Sequence, residues 1–224
     1  MKYLIILLSI ITIQACSQTS IKENPFATKL VSSKSEEHIR VKGTKLFALI
    51  PEKYPYIQEL SRYQISDQQF IQFQNLPNNS WTEYRTRVKK ESFGNGLITY
   101  EQIIFNGFDG MYIEGEDPNS DKNDIVLAFG ATDFITMIIC KTSKSNPEAR
   151  KEIVKILQSL YYDQDFQLDE FELANFEFDK TISKFDLAVA GNNLFMFAKN
   201  GKADSENPFA NSMLFQTLPQ MNNE

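Results

Sequence analysis

The alternation of apolar and polar positions over residues 97–141 predicts four consecutive β-strands. Short connections separate them at Asn106-Gly107, at residues 117–124 and at residues 130–133. Connections of this length join antiparallel neighbours, because a parallel pair needs a crossover of about a dozen residues or more. The stretch therefore predicts an antiparallel meander in the middle of the chain.

The second of these segments predicts a strand with one face in the core and one in water, because its polar and apolar positions alternate with a period of two. Tyr112, Glu114 and Glu116 fall on the face assigned to solvent. Residues 125–129 and 134–140 are apolar on both faces, which is typical of central strands covered on both sides.

Two helices are predicted, over residues 80–92 and 146–160. Ser80 and Glu83 form the capping-box pattern S-x-x-E at the start of the first helix. Asn146 is a favourable N-cap for the second, and the Pro that follows suits the first helical position. Each helix carries an apolar stripe through which it can pack on the sheet.

Further strands are predicted on both sides of the meander. Residues 37–50 predict two strands hinged at Gly43, and residues 61–76 predict strands that end at Pro77. Residues 164–224 predict a β-hairpin-rich accessory unit packed on the main sheet, with one hairpin turn around residues 191–193.

The N-terminus has the composition of an export signal. Lys2 precedes an apolar run of 11 residues, 3–13, which is too short to cross the roughly 30 Å hydrocarbon core of a bilayer as a helix. The sequence Ile13-Gln14-Ala15-Cys16 that closes this leader (residues 1–15) resembles the lipobox of bacterial lipoproteins. The alternative is an ordinary cleaved signal with an incidental cysteine.

The lipobox resemblance implies cleavage before Cys16, a diacylglycerol thioether on its sulfur and acylation of the new N-terminus, for example with palmitate. It implies a lipid-anchored protein of the cell envelope. Ser17 stands where an inner-membrane retention signal has Asp, which favours the outer membrane of a Gram-negative host, on either of its faces. Residues 16–37 are polar without a sustained period and predict a flexible tether.

The composition narrows the function further. The formal net charge is −6, which argues against nucleic acid as a partner. Cys140 lies in an apolar run, where a thiol behaves as a small hydrophobe. G-x-S-x-G, H-E-x-x-H, paired C-x-x-C, phosphate-loop and G-x-G-x-x-G motifs do not occur. With one His in the chain, we expect no cofactor and no transition-metal site.

The order of elements in residues 38–163 resembles the PsbP-like fold. The resemblance is carried by packing and turn positions, namely residues 46–51, 80–94, Asn106-Gly107 with Gly110, and residues 153–160. It implies an α+β fold class: a mainly antiparallel sheet with two helices packed on it, followed here by the C-terminal β-rich extension. Members of this family are mostly non-enzymatic binding or assembly factors, which is the expectation that the resemblance adds.

Two groups of residues are candidate binding sites. Trp81, Arg85, Lys89 and Lys90 lie on the first predicted helix and predict a docking patch for an acidic partner or a lipid head group. The alternative is a solvated helix face whose C-terminal cations match the helix dipole.

The second group lies in the loop after the second strand of the meander. Asp117, Asn119 and Asp121 have the spacing that opens a calcium loop. Lys122 and Ala128 then stand where the pattern needs Gly and Glu, and an Asp/Asn-rich hairpin turn explains the same residues.

Three functions remain open. The first is a non-enzymatic, lipid-anchored binding or assembly module with a protein partner in the envelope. The second is a hydrolase that uses two of Glu101, Glu114 and Glu116, and it requires a pair of carboxyl groups about 5–9.5 Å apart in a cleft. The third is a carrier of a small apolar ligand, which requires a pocket of a few hundred Å³.

Overall fold

A computed structural model of the protein describes residues 33–88, 96–169, 171–174, 176–179, 183–191, 194–202, 207 and 210–216. In these ranges the chain forms thirteen β-strands and two α-helices. The strands are β1 Ile39–Arg40, β2 Leu46–Ala48, β3 Tyr56–Ile57, β4 Arg62–Ser66, β5 Gln69–Pro77, β6 Leu97–Phe105, β7 Phe108–Glu116, β8 Lys122–Gly130, β9 Phe134–Ser143, β10 Tyr161–Tyr162, β11 Phe185–Gly191, β12 Leu194–Lys199 and β13 Ser212–Gln216. The helices are α1 Trp81–Arg87 and α2 Pro147–Ser159.

The predicted meander is confirmed as β6 to β9, in which every consecutive pair is antiparallel. Asn106 and Gly107 join β6 to β7 with φ angles of 46° and 91°. Left-handed conformations at both central residues are what a tight two-residue hairpin requires, and Asn-Gly adopts them at the lowest cost.

The second predicted helix is confirmed as α2, and the Asn146 side chain accepts a hydrogen bond from the Ala149 N–H at 3.1 Å. The first is shorter than predicted, because Val88 is already extended, with φ −90° and ψ 92°. The capping box is wrong: the Ser80 side chain makes no capping hydrogen bond. Glu83 instead accepts from Lys202 Nζ at 2.8 Å.

Ten strands form one large sheet. Eight of them follow the order β13-β12-β11-β5-β9-β8-β7-β6, while β4 pairs with the first half of β5 and β3 pairs with β4. The outer edge of β5 is therefore shared by two partners: its first residues pair with β4, whereas Gln74 and Asn75 pair with β11. The C-terminal strands thus continue the sheet that contains the meander. A second, small sheet consists of β1, β2 and β10.

The predicted α+β class of the PsbP-like type is wrong, because the protein is predominantly antiparallel β with one large sheet. Two features of the structure cause the difference. The C-terminal strands join the sheet through β5, and α1 has only seven residues. Local periodicity identifies strands but does not specify which edges pair across more than a hundred residues of chain.

The two faces of the large sheet are covered differently. On the face that we call the α2 face, Leu127 and Ile138 of the sheet belong to the same core as Ile153 of α2. On the opposite face, which we call the α1 face, Trp81 packs with Met111 in a smaller cluster.

The chain crosses the α2 face between β10 and β11. We call residues 163–179 the crossover segment, of which residues 170 and 175 lie outside the described ranges. Phe171 and Phe178 of this segment stack on Phe197 of β12, with ring centroids 6.0 and 3.9 Å away. Two blocks therefore cover the α2 face, one formed by α2 with the small sheet and the other by the crossover segment.

Candidate functional site

The residues predicted for a docking patch do not all lie at the surface. Trp81 is only 4% exposed, because it packs on the α1 face of the sheet, and its backbone N–H donates to Ala131 O at 2.8 Å. Arg85 is exposed. Lys89 and Lys90 lie outside the described residues, as does Cys16. The buried indole therefore cannot form part of an exposed binding surface.

The carboxylate oxygens of the candidate calcium loop accept hydrogen bonds from other groups of the protein. Asp117 accepts from the backbone N–H of Asn119 at 2.9 Å and from the Ser120 hydroxyl at 2.7 Å. Asp121 accepts from the Ser145 N–H at 2.9 Å and its hydroxyl at 2.8 Å. These contacts lower the pKa of both carboxyl groups and are typical of an Asx-rich turn.

The carboxylates considered for hydrolysis lie in different environments. Glu101 is exposed, Glu116 is half-buried and Glu114 is fully buried. The prediction that Tyr112 and Glu114 face solvent is wrong, because both side chains point into the α2 face, where they are completely covered.

Glu114 belongs to a buried polar network under α2. Arg150 donates to its two oxygens from Nε at 2.5 Å and from Nη2 at 2.6 Å. Tyr112 Oη and Asn123 Nδ2 also donate to it, each at 3.0 Å. The carboxylate raises the pKa of the Arg150 guanidinium, and burial raises that of the Tyr112 phenol. Both carboxylate oxygens accept hydrogen bonds and are shielded from water. Glu114 therefore links β7 to α2 and is not available to an external substrate.

A cavity of about 320 Å³ opens at the seam between the two blocks that cover the α2 face. We call it the seam cavity. Residues of β5, β9 and β11 line it from below, and Tyr162 of β10 and Leu168 of the crossover segment line it from the sides. Its volume lies at the lower end of the range for small-molecule sites, about 300–1,000 Å³.

The floor of the seam cavity is a row of small or polar side chains on three neighbouring strands. Ala190 lies opposite Asn75, and Asn75 lies opposite Thr136, so all three side chains share one face. Thr136 Oγ1 donates to Asn75 Oδ1 at 3.0 Å, and Asn75 Nδ2 donates to Gly43 O at 2.7 Å. These bonds orient the Asn75 amide, which retains a second N–H and a second lone pair for a ligand.

Two aromatic rings form one wall. Phe134 and Tyr162 are parallel with centroids 5.4 Å apart, and Phe129 supports Tyr162 edge-on at 5.3 Å. Burial raises the pKa of the Tyr162 phenol to about 12, and the negative charge of Asp133 adds to the rise. The phenol is therefore protonated at neutral pH and can donate a hydrogen bond.

Glu172 fixes the crossover segment to the loop that borders the cavity. Arg40 pairs with both of its oxygens, one of them at 2.7 Å from Nη1, and the Gly43 N–H donates to it at 2.9 Å. Arg40 lowers the pKa of the Glu172 carboxyl. Gly43 has a φ of 71°, and a Cβ there would lie 2.5 Å from Leu173 Cδ1. Any residue but glycine at position 43 would therefore have to adopt a strained left-handed backbone and displace the Leu173 side chain.

A second depression, of about 380 Å³, runs along α2 and is lined mainly by charged side chains. Lys53 pairs there with Glu152 at 2.6 Å, and Lys151 pairs with Glu148 at 2.7 Å. Exposed pairs of this kind are typical of a solvated helix face.

The sequence pattern identifies none of the residues that line the seam cavity as part of a binding site. Asn75 and Thr136 carry a signal that points to it, since each is a polar residue inside a strand rich in apolar residues. Lys45 and Asp133 carry none, because charged residues beside turns are ordinary on a protein surface.

No protein-family model matches this chain, and no curated protein matches it either. Among the described residues no helix is both long and apolar enough to cross a membrane. The same residues hold no group of three or more His, Cys, Asp or Glu side chains placed to bind a metal ion.

Proposed function

We propose that this chain is a lipid-anchored binding protein of the cell envelope, whose β-rich body binds a small ligand in the seam cavity without changing it chemically. The seam cavity is the observation that carries the proposal, because it combines sufficient volume with oriented polar groups and an aromatic wall. Among the functions left open by the sequence, this favours the carrier over a module that acts only through its surface.

The arrangement of the cavity favours binding because its polar groups are already in place. Thr136 is only 1% exposed, and the hydrogen bonds from Thr136 to Asn75 and from Asn75 to Gly43 hold the floor in one orientation. The Arg40–Glu172 pair holds the crossover segment beside it. A pre-formed site loses less conformational entropy on binding than one that must be ordered by its ligand.

Glu114 and Cys140 are not available for catalysis at this site. Glu114 is engaged by Arg150 in the interior of the protein. Cys140 is completely buried, and burial raises the pKa of its thiol, which keeps it protonated. A binding role requires neither group.

The anchor in this proposal is Cys16, which would hold the protein at the outer membrane through its lipid. The apolar leader and the lipobox support it, and several acyl chains exceed the two signals that stable anchoring needs. Metabolic labelling with a palmitate analogue tests it. We expect label on the native chain and none on Cys16→Ala; equal labelling of the two chains would contradict the anchor.

Binding in the cavity is tested by methyl NMR of the full-length chain in detergent micelles. Methyl groups of Ala190 and Thr136 report on the floor, and that of Ala128, which packs on the α1 face, serves as the reference. Titration with a library of metabolite-sized compounds should shift the two floor methyls and leave the Ala128 methyl unchanged.

Two blocking variants complete this test. Ala190→Phe places a ring in the cavity, and Gln167→Trp covers its rim from an exposed position, which carries little risk for folding. Both should abolish the shifts at Thr136 while the protein stays folded. If no compound shifts the floor methyls, or if the shifts persist in both variants, the seam cavity is not a ligand site.

A further inference from the structure

Two opposite charges line the seam cavity without a charged partner. Lys45 and Asp133 both border it. The Lys45 ammonium donates to a backbone carbonyl, that of Gln164, at 3.0 Å. Asp133 is exposed, and it makes no ion pair or side-chain hydrogen bond with any residue that the structure describes. The distance from Lys45 Nζ to the Asp133 carboxylate oxygens exceeds the 4.0 Å limit of an ion pair.

Lys45 and Asp133 are the charged residues among the described residues that line the cavity. Arg40 binds Glu172 beside the rim. The charges of Lys45 and Asp133 therefore remain available to a ligand.

We propose that the seam cavity takes a small zwitterion with an apolar side chain, such as a free amino acid or a dipeptide, whose carboxylate binds Lys45 and whose ammonium binds Asp133. This inference rests on the proposed function, since it names the ligand class of the same cavity. Its residues supply one positive and one negative charge, so a ligand that carries both leaves neither unpaired when water is displaced.

The remaining walls suit the two ends of such a ligand. Tyr162 and Phe134 present aromatic surface near Asp133, where an ammonium group gains a cation–π contribution. Leu187 and Ala190, on β11, supply apolar surface for a side chain. The free N–H and carbonyl lone pair of Asn75 can bind the peptide group of a dipeptide.

Other ligand classes fit less well. A phosphate or another simple anion meets one lysine and the repulsion of Asp133, and a simple cation meets the reverse arrangement. A neutral compound gains nothing from either charge. The groove along α2 has both signs of charge as well, but there Lys53 and Lys151 already pair with glutamates.

The test is isothermal titration of the full-length chain in micelles with four probes: L-leucine, leucyl-leucine, N-acetyl-leucine and leucinamide. The last two lack the cation and the anion, respectively. We expect leucine or leucyl-leucine to bind more tightly than either singly charged analogue. The preference over leucinamide should be about tenfold, because Lys45 is half-buried. The preference over N-acetyl-leucine should be smaller, because Asp133 is exposed and water screens its charge.

Lys45→Gln should abolish the preference over leucinamide, and Asp133→Asn the preference over N-acetyl-leucine. Lys155→Gln and Asp109→Asn are matched controls at exposed positions that do not line the cavity, and they should bind as the native protein does. If both analogues bind as well as leucine, or if the two rim variants behave as their controls, the inference is overturned.

The outcome also separates this inference from the proposed function. If neutral or singly charged compounds shift the floor methyls while the zwitterions do not, the ligand class is wrong and the cavity remains a binding site. If compounds of every charge class fail to bind there, both are wrong.

Discussion

Removal of Arg150 tests the buried network that links α2 to the large sheet. Arg150→Met keeps an apolar stem of similar length and deletes the guanidinium that donates to both oxygens of Glu114. The variant leaves a carboxylate with 0% exposure and without its cation. Loss of one partner of a buried pair costs about 3–5 kcal/mol.

The structure places the expected loss near the lower end of that range, at about 3 kcal/mol. Tyr112 and Asn123 still donate to the carboxylate, and the Arg150 side chain is 18% exposed, so water can approach the gap. Without its cation, buried Glu114 binds a proton more readily than in the unfolded chain. The difference in unfolding free energy between the parent and the variant should therefore become smaller as the pH falls.

Urea unfolding followed by fluorescence measures this effect, because the chain has a single tryptophan, Trp81, and it is 4% exposed. Lys151→Met is the matched control on the same helix: its pair with Glu148 is largely exposed and should contribute little to stability. Glu114→Gln in the Arg150→Met background removes the stranded charge and should recover most of the loss. If Arg150→Met is no less stable than Lys151→Met, the network does not hold α2 on the sheet.

Three further predictions concern other buried or constrained groups. In a Cys16→Ser background, the Cys140 thiol should react with a thiol reagent only in denaturant, because it is fully buried and burial raises its pKa; rapid labelling of the native protein would contradict this. Gly43→Ala should lower the urea midpoint, since a Cβ there meets Leu173 at 2.5 Å and φ is 71°; an unchanged midpoint would show that the loop can move away. Glu172→Gln should destabilise the protein at neutral pH, and parent and variant should converge as the pH falls through the lowered folded-state pKa of Glu172, where the parent loses the same stabilisation; a difference that persists in acid would contradict the ion-pair explanation.

Local patterns predict the elements of this fold better than their arrangement. The four strands of the meander and α2 follow from alternation, from the Asn106-Gly107 turn and from the Asn146 cap, all of which act within a few residues. The junction of β5 with β11 depends on Asn75 and Ala190, which are distant in sequence and have no local signal. The error in fold class follows from that junction.

The residues of the site are missed for the same reason: local patterns do not reveal contacts between elements that are distant in sequence. Glu114 alternates with apolar neighbours, as a solvent-facing residue does. Its burial follows from its pairing with Arg150 on α2, which is distant in sequence and leaves no local signal. The seam cavity exists because two separate blocks cover one face of the sheet and leave a gap at the row of Ala190, Asn75 and Thr136. A single-strand pattern contains no information about such a gap.

Native mass spectrometry of the protein, extracted in mild detergent from the membranes of cells that produce it, tests the central claim most directly. The claim predicts a chain that begins at acylated Cys16 and carries one non-covalent small molecule, which Ala190→Phe removes without unfolding the protein. A folded native chain without a bound molecule, or an equal amount bound to Ala190→Phe, would contradict the claim that the seam cavity is a ligand site.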